Sequence, residues 1–61
     1  MQKVMKREGA TMAATIIYEE LNITSAIEDR PNSRLVRITV DSRKRTPSER
    51  AFIRKVLEGL S

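Results

Sequence analysis

Arg43, Lys44 and Arg45 stand directly before Thr46-Pro47-Ser48-Glu49. This pairing of a basic run with a helix-start signal is where the chain's chemistry is most definite. A helix N-terminus offers unpaired backbone N–H groups and partial positive charge. Bases placed just ahead of it would add full charges, which together suit a phosphate. Arg50 and Arg54 follow at helical spacing and project from one face. Arg37 lies upstream on an alternating segment, opposite in facing to Arg34. Arg37, Arg43, Lys44, Arg45, Arg50 and Arg54 are therefore the candidate nucleic-acid contacts. Most are arginine, whose planar guanidinium can grip a phosphate with two parallel hydrogen bonds where lysine acts as a point charge. Thr46 and Glu49 engage part of the same helix end, and Glu49 repels phosphate. No aromatic side chain is interleaved with the bases, so stacking on single-stranded bases is poorly served. The pattern predicts contacts to the phosphate backbone with weak sequence readout.

Other chemistries lack their residues. The 61-residue chain has no Cys, His or Trp and two glycines. Disulfides, zinc sites, thiol nucleophiles and imidazole bases are therefore excluded, and no Gly-rich phosphate loop can be built. The remaining candidates for catalysis are carboxylates. Glu19 and Glu20 diverge on a helix, Glu28 and Asp29 diverge on a strand, and neither pair converges on one point. The expectation is a binding module, not an enzyme, with no cofactor and no metal. Asn22-Ile23-Thr24 matches a glycosylation acceptor, but no secretory signal accompanies it. A nuclear address or phosphorylation site within Ser42–Ser48 is less economical than the helix cap that Thr46-Pro47 supplies.

Lys and Arg number 12 against 8 Asp and Glu, for a formal charge of +4. The distribution is sharper than the total. Residues 1–11 carry +2, residues 12–29 carry −4, and residues 30–61 carry +6. Such segregation speaks to partners. Two classes of function follow. One is a small basic regulator that binds nucleic acid. The other is a protein-interaction module that inhibits or adapts a larger machine through the apolar and acidic surface around Tyr18, Glu19 and Glu20. The basic run would also suit an acidic protein. Salt separates these readings, because phosphate binding weakens steeply with ionic strength. No apolar run approaches the roughly 18 residues of a membrane span. A cytoplasmic protein without membrane contact is expected.

These side chains need elements to hold them. Met1–Thr11 shows no sustained period and ends near Gly9, which predicts a flexible N-terminal extension. The Glu8-Gly9 codons would resemble a ribosome-binding sequence shortly before Met12, so Met12 is the expected translation start if the source is bacterial. Residues 12–61 then form a single small domain. Ala13, Ile16, Ile17 and Leu21 recur at helical spacing with Thr11 as N-cap. Ile23, Ser25 and Ile27 alternate with Thr24, Ala26 and Glu28, and Arg30-Pro31-Asn32-Ser33 is turn chemistry. Val36, Ile38 and Val40 make the clearest strand. Thr46 and Glu49 form a capping box around Pro47, followed by the apolar stripe Phe52, Ile53, Val56, Leu57 and Leu60.

The predicted fold class is α+β, a small α-β-β-α layer of helix, β-hairpin and C-terminal helix. A lone hairpin is marginal, so a homodimer is expected. Arg34–Ser61 resembles the first half of a ribbon-helix-helix protein, a basic strand before a capped helix, but that family needs a second helix after the first. Glu20–Ile27 resembles a helix-turn-helix turn, but is one residue short and is followed by Pro31. Neither pattern is completed, so the chain is assigned to neither family.

Overall fold

Val36, Ile38 and Val40 occupy the middle of the molecule. The computed structural model describes residues Met1 to Ser61, in the order β1 (Gln2–Lys6), α1 (Arg7–Leu21), β2 (Ala26–Asp29), β3 (Leu35–Thr39) and α2 (Pro47–Leu60). The strands form one antiparallel sheet in the order β1-β3-β2. Ile38 is therefore flanked on both sides, by Lys3 of β1 and Ile27 of β2. Both helices cover one face of the sheet. The core is Met5, Ala10, Ala13, Ile17, Ile23, Val36, Ile38, Val40, Ile53 and Leu57.

The α+β class stands, but the N-terminal reading is corrected. Residues 1–11 are not a flexible extension. They supply β1 and the start of α1, and Met5 and Ala10 are buried. Nor does the first helix begin at Met12 behind a Thr11 cap. It begins at Arg7, immediately after β1, with Lys6 as an N-cap that makes no side-chain cap bond. The sheet has three strands where two were expected, giving β-α-β-β-α. The reason is non-local, because β1 exists only by pairing along β3. Gly9 does not interrupt the helix. A Cβ there would overlap the carbonyl oxygen of Leu60, so glycine is what lets the start of α1 meet the end of α2.

Local chemistry explains the remaining boundaries. Asn22 adopts the left-handed conformation, φ 57°, and donates its N–H to the Tyr18 carbonyl, closing α1. Asn32 does the same in the β2–β3 connection, φ 56°, where the Ser33 N–H bonds to the Arg30 carbonyl. Pro31 followed by a left-handed Asn is the pattern of a type II turn. The alternation of Ile23, Ser25 and Ile27 holds in burial, although only Ala26–Asp29 is paired as strand. The capping box at Thr46 is present in both directions, with Glu49 N–H to Thr46 Oγ1 at 3.1 Å and Thr46 N–H to Glu49 Oε1 at 3.0 Å.

Candidate functional site

The loop from Asp41 to Thr46 joins the central strand to the capped helix, and its bases are held by a local network. Arg43 donates from Nε and Nη2 to the two oxygens of Asp41, each at 3.0 Å, while its backbone N–H reaches Asp41 Oδ1 at 3.2 Å. The side-chain bonds from Arg43, then its backbone N–H, hold the Asp41 carboxyl down at about 2. The side-chain bonds to Asp41, and then its negative charge, push the Arg43 guanidinium up. Arg43 nevertheless keeps 87% of its side chain exposed, so its other N–H groups remain presentable to an anion.

Arg45 and Arg50 are directed differently. Arg45 Nη1 lies 3.3 Å from Glu49 Oε2. The Glu49 carboxyl is lowered chiefly by the Thr46 backbone N–H, with Thr46's hydroxyl and Arg45 adding to it. Arg50 Nη1 turns back to the Arg45 carbonyl and to the Ser42 carbonyl, the latter at 3.5 Å. Both residues are half-buried. They brace the loop against the first turn of α2, and their charges raise the local potential without standing outward. Lys44 is exposed and forms no ion pair.

Three adjoining hollows connect this loop to the β1 edge. Ile23, Asp41, Arg43, Lys44 and Arg45 line the first. The second shares Asp41 and Arg43 with it and reaches Met1. The third runs from Met1 between β1 and α2, where Lys3, Arg54 and Glu58 meet. Lys3 was not among the residues expected from sequence. It is half-buried on the helix side of an edge strand, a position from which lysine lays its stem on apolar surface and keeps its charge in water. Its signal could not be found before β1 itself was known.

Arg37 lies elsewhere. It points from the opposite face of β3, between Val4 and Glu28 in the register. The loop and α2 thus bring together Arg43, Lys44, Arg45, Arg50 and Arg54, while Arg37 is separated from them by the thickness of the sheet.

Charge is segregated across the molecule. The α2–β1 flank and its loop carry Lys3, Arg43, Lys44 and Arg54, with Asp41 and Glu58 among them. The α1–β2 flank carries Glu19, Glu28 and Asp29, where Asp29 is paired with Arg7. No helix is long and apolar enough to cross a membrane. No family model, curated protein or solved structure matches the chain.

Proposed function

We propose that this protein is a small nucleic-acid-binding regulator that holds the phosphate backbone along the α2–β1 flank. The observation that carries the reading is the continuity of the flank. Lys44 and Arg43 at the loop connect through adjoining hollows to Lys3 and Arg54. A row of cations along one side suits a polyanion better than a single phosphate. Arg45 and Arg50 act by shaping the loop and by their field. The flank has no aromatic side chain to stack on bases, so backbone contact dominates and sequence preference is weak.

The molecule acts in this reading as a homodimer. Met12 is 55% exposed on α1, with half-buried Ile16 one turn on; half-buried Phe52 lies on α2. None of the three belongs to the core or packs against it, so they are apolar residues of the helices left for a second copy to cover. Such a pairing would leave both basic flanks free.

Fluorescence anisotropy with a labelled random-sequence DNA duplex at low salt tests the site. The Lys3→Gln/Lys44→Gln/Arg54→Gln variant is expected to bind at least tenfold more weakly with unchanged circular dichroism. Equal affinity of variant and parent would overturn the assignment.

A further inference from the structure

The free edge of β2 has a separate chemistry. Met1 and Val40 exchange both backbone hydrogen bonds, at 2.8 and 2.7 Å. Antiparallel ladders alternate, so this pair fixes the parity of the whole sheet. Met1, Lys3 and Met5 turn their backbone groups toward β3, and on β3 Thr39 and Arg37 turn theirs toward β2. Their register partners Ala26 and Glu28 answer them. The N–H and C=O groups of Ile27 and Asp29 are left pointing away from the sheet, with Ser25 continuing the row.

Beside this row runs a groove between α1 and β2. Ala14, Tyr18 and Ile27 give it an apolar wall, and Tyr18 is 54% exposed. The hydroxyl of Ser25 is buried there without a hydrogen-bond partner. Glu19 is the groove's one charged group, and Glu28 follows on the strand. An unpaired strand edge next to an apolar groove is the arrangement by which sheets capture extended peptides.

We propose that this edge binds an extended basic peptide as a fourth, antiparallel strand. Its residues opposite Ile27 exchange backbone hydrogen bonds and send apolar side chains into the groove against Tyr18 and Ala14. The alternate residues project from the open sheet face, where Lys or Arg meets Glu28 from the side away from its register partner Arg37. Charge selects this occupant over two others. A nucleic acid would be repelled by Glu19 and Glu28, and a second copy paired about Ile27 would set Glu28 opposite Ala26 and Asp29 opposite Ser25, so that Glu28 gains no cation. The proposal is independent of the phosphate reading, since the groove and the basic flank share no residue.

The test is selection of a phage-displayed library of random linear decapeptides on the full chain, then anisotropy with the enriched sequence as a labelled synthetic peptide. The expected consensus alternates apolar residues with Lys or Arg. Tyr18→Ala and Glu28→Lys should each weaken binding about tenfold or more, with circular dichroism unchanged, while Arg54→Gln leaves it intact. N-methylation of the peptide's apolar residues should abolish binding, and methylation of its basic residues should be tolerated. The proposal is overturned by absence of enrichment, by a consensus without the alternation, or by equal tolerance of methylation at both parities. It is also overturned if hydrogen exchange shows the Ile27 and Asp29 amides already protected in the free protein.

Discussion

Asp41 is the residue that most limits the basic flank, since it neutralises part of Arg43 and adds an acid among the cations. Asp41→Asn is expected to tighten duplex binding at neutral pH, measured by anisotropy at low salt. The same residue sets an acid dependence. Its carboxyl titrates at about 2 in the fold against 3.8 when unperturbed. A lowered folded value means the stabilisation is fully present above about pH 4 and is lost as pH falls through 2. Urea titrations from pH 5 to 2 should show a decline that is smaller in Asp41→Asn, and an equal decline would mean the pairing with Arg43 does not hold the loop. The two glycines give a contrast of sign. Gly9→Ala forces a Cβ onto the Leu60 carbonyl and should cost about 1–3 kcal/mol. Gly59→Ala meets nothing within 4 Å and should gain up to about 1 kcal/mol from helix propensity. Matched urea midpoints decide both.

At the scale of elements, what was legible in the sequence depended on whether the signal was local. The start of α2 is written in four consecutive residues, and the box at Thr46 and Glu49 formed as read. β3 was legible because Val36, Ile38 and Val40 share a face that two helices cover. β1 was not, because its apolar residues Val4 and Met5 are neighbours and fall on opposite faces, while half-buried Lys3 shares Met5's side. Nothing within Gln2–Lys6 distinguishes a strand from a polar tail until β3 is there to pair with it. Gly9 misled for a related reason, since its value lies in contact with Leu60, far away in sequence. The candidate site inherited these limits: the loop bases and Arg54 could be grouped from local spacing, Arg37 was grouped with them although its alternation already set it opposite the core face, and Lys3 was missed with its strand. A chain beginning at Met12 tests the role of β1 directly. It would lose Met5 and Ala10 from the core and expose β3 as an edge, leaving a hairpin that is marginal alone. No cooperative urea transition is expected for it; a sharp one would show that β1 is dispensable.

For the whole molecule, the decisive property is that bases outnumber acids on the α2–β1 flank and acids outnumber bases on the α1–β2 flank of one small sheet. A core of ten residues supports this arrangement, and Ile38, paired to both edge strands, is its centre. Segregation has a quantitative consequence for binding. If the α2–β1 flank meets duplex DNA through discrete phosphate contacts, the logarithm of affinity should fall linearly with the logarithm of salt, with a slope near 0.9 per phosphate neutralised. Removing Lys3, Lys44 and Arg54 together should then lower the slope by about 2.7 at the same 0.9 per contact. Arg37→Gln should barely change it, because that guanidinium stands on the open sheet face beside Glu28. The contrast between the two variants matters more than either value. A generally positive surface would respond to loss of any base in proportion to its charge, and Arg37→Gln would then account for about a third of the triple variant's effect. A flank that works as a unit leaves Arg37 silent, and titrations at four salt concentrations suffice to tell the two apart.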